Sequence, residues 1–151
     1  AATVARTITH LEKGTAMSAA AIFEGFDHDR YAPEARERWG DPAVDRSERA
    51  WASLDEEGRA AHLAEHERIG AELARLAASG ASPDDAAVQR AVARHHAWVS
   101  LFWTPGRAAY EGLGRMYVDD PRFRGTYDAF GPGTAELLGA AIQVYAAGLP
   151  E

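Results

Sequence analysis

Four prolines in this chain each follow a residue whose side chain can cap a helix. The pairs are Asp41-Pro42, Ser82-Pro83, Thr104-Pro105 and Asp120-Pro121. A side-chain oxygen in this position accepts one of the free N–H groups at a helix start, and proline fits the first turn because its missing N–H is not needed there. Each pair therefore predicts the start of a helix.

Apolar residues between these pairs recur every three or four positions, which is the spacing of one helix face. The stretch from Asp55 to Ser79, opened by the capping pattern Ser53-x-x-Glu56, predicts one long helix. Further faces of this kind comprise Val88, Val92, His95, Val99 and Phe102, then Tyr110, Leu113 and Tyr117, then Leu138, Ala141, Ile142 and Tyr145. No stretch alternates with period two for long enough to form a strand. The sequence predicts an all-α fold of about seven or eight helices.

Charge and composition exclude several classes of function. The formal net charge is −7 and no dense Lys/Arg cluster is present, so we expect no nucleic-acid binding by this chain itself. The absence of cysteine excludes disulfides and thiolate chemistry and is compatible with a reducing cytoplasm. No apolar run approaches the roughly 18 residues of a membrane span, so we expect no membrane partner.

The first residues differ from the rest of the chain. Val4, Ile8 and Leu11 form a narrow apolar stripe of the kind seen in coiled-coil seams. The stripe fits either the end of a dimerising helix or a frayed amphipathic terminus. We expect residues 1–14 to be such a helix tail or linker and residues 15–151 to form one domain.

Two histidine-containing patterns admit more than one interpretation. His62-x-x-Glu65-His66 fits a zinc-protease pattern, although its many charged neighbours favour a solvated helix face. His95 lies on an apolar stripe, where it could ligate haem, but we interpret it as a buried, hydrogen-bonded or pocket-lining side chain. We expect no cofactor and no catalytic residues, and a small metal-dependent hydrolase is the less favoured alternative.

Aromatic residues are dense around one helix–turn–helix junction. Trp98, Phe102, Trp103, Tyr110 and Tyr117 run along one helix, across a turn and onto the next. Such residues supply either core or the large apolar walls and few polar groups of a ligand site. Composition alone leaves both interpretations open.

Several segments together resemble the TipAS-type antibiotic-recognition domain. The resemblance rests on five segments, which are GFDHDRY (25–31), EARERWGD (34–41), FWTP (102–105), GLGRMYVDDPRF (112–123) and PGTAELL (132–138). It implies a globin-like helical fold without haem that binds bulky hydrophobic antibiotics, often cyclic peptides such as thiopeptides. It also implies the C-terminal ligand sensor of a dimeric MerR-type transcription regulator, which contacts DNA through a separate domain. The family's alternative role is that of a stand-alone antibiotic-sequestering resistance protein.

The matched segments and the aromatic stripe together indicate which residues contact the ligand. We expect these contacts from Phe26, Tyr31, Trp39, His95, Trp98, Phe102, Trp103, Tyr110, Met116 and Tyr117. Thiopeptide-trapping members of the family use a cysteine near the turn that here reads Trp103-Thr104-Pro105-Gly106. Because this chain has no cysteine, we expect it to bind its ligand without a covalent bond.

Overall fold

The chain is helical throughout the part that the structure describes. A computed structural model describes residues 33, 34, 37 and 40–151, and in this part six helices and no strand lie between Asp41 and Ala146. The helices are α1 (Asp41–Ala52), α2 (Glu56–Ala78), α3 (Ala86–Val99), α4 (Arg107–Asp119), α5 (Pro121–Asp128) and α6 (Thr134–Ala146). The all-α prediction is confirmed. The predicted helix tail at 1–14 and the predicted ligand residues Phe26, Tyr31 and Trp39 lie outside the described residues.

The chain divides into two compact units. The first contains the described residues up to Glu65 together with Val99–Thr104, and the second contains His66–Trp98 and Pro105–Glu151. The first unit therefore holds α1, the beginning of α2 and the turn after α3. The second unit holds the remainder of α2, nearly all of α3, and helices α4, α5 and α6.

Two of the four predicted helix starts are confirmed. Helix α5 begins at Pro121, and the carboxylate of Asp120 accepts a hydrogen bond from the backbone N–H of Arg122 at 3.0 Å. Helix α1 begins at Asp41 and has Pro42 in its first turn, but Gly40 and not the predicted Asp41 occupies the N-cap position. In both places proline lies in the first turn, where no intrahelical bond needs its N–H.

The predicted capping residues Ser53 and Ser82 are wrong, because a nearby aspartate performs this role in each case. The Asp55 carboxylate accepts a hydrogen bond from the backbone N–H of Gly58 at 2.7 Å. The Asp85 carboxylate accepts one from the backbone N–H of Ala87 at 2.8 Å. A carboxylate also interacts favourably with the positive end of the helix dipole. Helix α3 consequently begins at Ala86 and not at Pro83.

The predicted helix start at Thr104-Pro105 is also wrong. Helix α4 begins at Arg107, whose backbone N–H donates to the carbonyl of Pro150 at 3.1 Å. The Arg107 side chain binds the same segment, since its Nε donates to the carbonyl of Leu149 at 3.1 Å and a terminal nitrogen lies 2.7 Å from the Glu151 carboxylate. A segment distant in sequence therefore satisfies this helix start.

The core of the second unit is built from the predicted helix faces. The residues predicted to form the apolar faces of α3, α4 and α6 are buried wherever they lie in this unit. Tyr145 is the exception, since it is half-buried. Helices α4 and α6 pack closely because glycines lie where they cross. A Cβ added at Gly139 would lie 2.4 Å from Cγ2 of Val118, and one at Gly114 would lie 2.8 Å from Cγ2 of Ile142. Larger side chains at these glycines would force the two helices apart.

None of the described helices is both long enough and apolar enough to cross a bilayer.

Candidate functional site

One histidine and three tyrosines form a fully buried group in the second unit, here called the His95 cluster. Its members are His95 on α3, Tyr110 and Tyr117 on α4, and Tyr127 on α5, and each has 0% of its surface exposed. The Tyr110 hydroxyl lies 2.8 Å from Nδ1 of His95, and the Tyr117 and Tyr127 hydroxyls each lie 3.2 Å from Nε2. Hydrogen bonds between side chains therefore join three helices inside this core.

The hydrogen bonds of Tyr110 indicate where the imidazole proton of His95 resides. The Tyr110 hydroxyl donates its one proton to the carbonyl of Val92 at 3.4 Å, so its oxygen is left to accept from Nδ1–H of His95. Nε2 then carries the one lone pair of the ring, which the hydroxyls of Tyr117 and Tyr127 share, each at 3.2 Å. His95 is thus a buried, hydrogen-bonded histidine, as the non-haem interpretation predicts.

The His95 cluster is uncharged. The pKa of His95 is lowered from 6.5 to about 3, mainly by burial and to a smaller extent by the proximity of His66 and His96. Burial also raises the pKa of Tyr110 well above 10, with a smaller contribution from Tyr145. Because a charged form would lose its hydration here, the cluster stays neutral and uses its polar atoms for internal hydrogen bonds.

Two further histidines in the second unit pack beside aromatic rings. The His66 ring, which is 2% exposed, lies 4.9 Å from the Trp98 ring, 5.6 Å from that of Tyr127 and 5.8 Å from that of Phe130. Nε2 of the half-buried His96 lies 2.9 Å from the carbonyl of Pro105, so this nitrogen carries a proton and donates it. These contacts make the histidines and aromatic side chains of the second unit a packed core.

An aromatic group in the first unit, here called the Trp51 group, consists of Trp51, His62 and Phe102. The His62 ring meets Phe102 nearly at a right angle at 5.2 Å and lies 6.2 Å from Trp51, and the Trp51 and Phe102 rings are 6.4 Å apart. The Arg59 guanidinium lies over the Trp51 ring at 5.5 Å, where a cation–π attraction operates. Burial lowers the pKa of His62 to about 4, although the Glu65 carboxylate opposes this shift.

Trp103 differs from the other tryptophans described here. Its backbone N–H donates to the carbonyl of Val99 at 3.3 Å, and its side chain is half-buried, whereas Trp51 and Trp98 are 1% and 3% exposed. The indole of Trp103 makes no ring contact and no hydrogen bond with any described residue. A partly exposed indole offers a large apolar face and one N–H donor to a ligand.

The two histidines of the zinc-protease pattern, His62 and His66, do not lie on a solvated helix face. His66 is buried among aromatic rings and His62 belongs to the Trp51 group, so the expectation that both histidines are exposed is wrong. Over the part of the chain that is described, no group of three His, Cys, Asp or Glu side chains has an arrangement that could hold a metal ion.

The predicted ligand residues fall in both units. Phe102 and Trp103 lie in the first, and His95, Trp98, Tyr110, Met116 and Tyr117 lie in the second. Only Trp103 and Met116 of these seven are half-buried, and the others are buried. Whether these residues contact a ligand stays a prediction.

Sequence reasoning missed three members of the two aromatic groups. Trp51 lies on a 12-residue helix with few apolar residues, His62 is surrounded by charged residues, and Tyr127 lies near the end of the short helix α5. The spacing of Phe123 and Tyr127, four residues apart, could have indicated a buried face for α5, since both rings are buried.

Comparison with known proteins identifies relatives over most of the chain. The TipAS antibiotic-recognition domain family matches residues 31–145. The HTH-type transcriptional regulator SkgA of Caulobacter vibrioides is 33% identical over 96% of this chain and 60% of its own length. The HTH-type transcriptional activator TipA of Streptomyces coelicolor is 31% identical over 80% of this chain and 49% of its own length. The chain therefore spans about half to three-fifths of the length of these relatives.

A solved structure has the same fold. It is TipAS from Streptomyces lividans in complex with nosiheptide, described as part of a thiopeptide antibiotic multidrug resistance system. The match covers 81% of this chain and 87% of that one, with a TM-score of 0.71 and 31% sequence identity.

Proposed function

Because this chain belongs to the family of TipAS antibiotic-recognition domains, we propose that it is the ligand-sensing domain of a cytoplasmic MerR-type transcription regulator. Its ligand is a bulky, largely apolar antibiotic of the peptide type, which it binds without a covalent bond. DNA is contacted by a separate domain of a homodimeric protein.

The similarity to the nosiheptide complex of TipAS is the observation that carries this proposal. Likeness of both sequence and fold over four-fifths of the chain supports a shared class of ligand. The relatives named as HTH-type regulators support a role in transcription. No catalytic step is needed for such a function, since a bound ligand shifts the protein towards the state that it prefers.

The two units differ in what they offer to a ligand. In the His95 cluster the polar atoms bind one another, and none of its four members is exposed. In the first unit Trp103 is half-buried and makes no ring contact within the described chain. This contrast favours the first unit as the place where aromatic surface meets the antibiotic.

Reversible binding of nosiheptide tests the proposal directly. At about one hundred times the dissociation constant, a ligand that binds only the folded state stabilises it by about 2.7 kcal/mol, which corresponds to roughly 5–10 °C in Tm for a domain of this size. Because no thiol is present, intact-mass spectrometry under denaturing conditions should recover the unmodified mass after prolonged incubation. Absence of any shift would refute thiopeptide recognition, and a surviving adduct would refute non-covalent binding.

Replacing Trp103 should weaken ligand binding much more than it weakens the fold. We expect Trp103→Ala to raise the dissociation constant for nosiheptide at least tenfold, since tryptophans often dominate binding energy, with a loss in Tm of only a few degrees. Isothermal titration calorimetry and thermal unfolding measure the two effects on the same samples.

Two variants serve as controls for Trp103→Ala. Trp51→Ala removes a buried ring and should lower the stability by about 3–5 kcal/mol. Val144→Ala trims an apolar side chain that is 43% exposed in the second unit, and it should leave both Tm and affinity unchanged. If Trp103→Ala lowers Tm as much as Trp51→Ala does, while the affinity of the folded protein is unchanged, Trp103 belongs to the core.

A further inference from the structure

Ser47, in the first unit, has a buried hydroxyl without a hydrogen-bond partner in the part of the chain that the structure describes. Its side chain lies on α1 and is 0% exposed, and its Oγ makes no hydrogen bond with any described residue. Serine in a helix ordinarily donates back to a carbonyl of the preceding turn. The hydroxyls of Ser53 and Ser79 make such bonds, at 2.6 and 2.7 Å. Nothing in the backbone of α1 replaces that bond for Ser47.

A buried hydroxyl without a partner destabilises the ligand-free fold, because water satisfies the same group in the unfolded chain. Alanine would avoid this penalty and is also the better helix former. Native proteins leave few buried polar groups unsatisfied, and those that remain often have a functional cause. Ser47 therefore requires an explanation other than stability.

The position of Ser47 relates its hydroxyl to the Trp51 group. Ser47 precedes Trp51 by four residues on α1, and residues four apart lie on the same face of a helix. Trp51 in turn packs against His62 and Phe102, and Phe102 directly precedes the half-buried Trp103. A few polar atoms among large aromatic side chains are the usual composition of a site for a bulky apolar ligand.

We propose that the Ser47 hydroxyl donates a hydrogen bond to an acceptor atom of the bound peptide-type antibiotic, of the class of an amide carbonyl oxygen. The hydroxyl acts as donor because an unpaired buried proton is tolerated less readily than an unpaired lone pair. The half-buried Trp103 of the same unit then supplies apolar contact to any bulky ligand, and Ser47 selects those that carry an acceptor in the right place. This inference rests on the proposed function, since it names a specificity-determining residue for that ligand.

The substitution Ser47→Ala tests the inference because it should change stability and affinity in opposite directions. The Tm of the ligand-free protein should rise, and the dissociation constant for nosiheptide should increase about tenfold.

Helix propensity also contributes to the rise in Tm, so Thr126→Ala provides the baseline. Thr126 lies on α5 in the second unit, and its hydroxyl donates to the carbonyl of Arg122 at 3.1 Å. Thr126→Ala raises the helix propensity by a similar amount, but it removes a hydroxyl that already has a hydrogen-bond acceptor. It should bind nosiheptide with the affinity of the unmodified protein.

The proposal requires both effects of Ser47→Ala to appear together. A rise in Tm above that of Thr126→Ala with unchanged affinity would show an unsatisfied hydroxyl without a role in binding. A fall in Tm would show that water or a protein group already satisfies the hydroxyl, which would also overturn the proposal. If the unmodified chain fails to bind nosiheptide, the proposed function falls and this inference falls with it. Binding by the unmodified chain with equal affinity in Ser47→Ala rejects the inference alone.

Discussion

His95→Ala is expected to destabilise the folded protein by about 4 kcal/mol. Truncating a fully buried ring leaves a cavity, and comparable aromatic truncations cost about 3–5 kcal/mol. The change also removes the acceptor of the buried Tyr117 and Tyr127 hydroxyls, whereas Tyr110 keeps its bond to the Val92 carbonyl, and each buried group left unsatisfied costs about 1–3 kcal/mol unless it finds a new partner. Since domains of this size are stable by about 5–15 kcal/mol, His95→Ala should approach or cross the limit of folding. Urea denaturation followed by circular dichroism measures the change.

His96→Ala is the matched control for this prediction. His96 is adjacent in sequence, but its ring is half-buried and its Nε2–H donates to one carbonyl, that of Pro105. Its truncation should cost about 1–2 kcal/mol. If both variants lose the same stability, or if His95→Ala loses less than about 1 kcal/mol, the His95 cluster does not hold α3, α4 and α5 together as we describe.

The fold was largely predictable from sequence because burial of one helix face follows from local periodicity. Val88, Val92 and Val99 on α3 were expected on one face, and all three are buried. Helix starts were less predictable, because the partners of the first N–H groups need not be local. The start of α4 depends on the carbonyl of Pro150, which no pattern around Arg107 reveals.

The candidate site was predictable only as a region rich in aromatic residues. Periodicity places Trp98 and Tyr110 on apolar faces, yet it does not show that one packs on His66 and the other binds His95. His66 itself looked exposed because charged residues surround it in sequence. Its burial depends on rings from α3, from α5 and from the residue Phe130, which only the tertiary arrangement brings together. Local sequence therefore predicts which face is apolar but not which partner it meets.

Acidification should weaken the fold by roughly 3 kcal/mol between pH 7 and pH 5, through His95 and His62. The folded-state pKa of His95 is about 3 and that of His62 about 4, whereas both have values near 6.5 when unfolded. Because the folded pKa values are depressed, the unfolded chain binds more protons below pH 6.5. The stability that neutral histidines contribute is present above pH 6.5 and is lost as pH falls towards the folded values. Each additional proton changes the stability by about 1.4 kcal/mol per pH unit.

The contributions of the two histidines to acid sensitivity are separable. Fully buried His95 should contribute about 2 kcal/mol of the loss by pH 5, and half-buried His62 somewhat less because solvent moderates its shift. His62→Gln removes one titrating group and keeps a polar side chain of similar length, so the slope of unfolding free energy against pH should fall by nearly half. His95 retains its environment in that variant, because its hydrogen bonds go to Tyr110, Tyr117 and Tyr127. Urea titrations at half-unit steps from pH 7 to pH 5 measure the slopes. A free energy of unfolding that stays constant over this range would mean that neither imidazole is held neutral by burial.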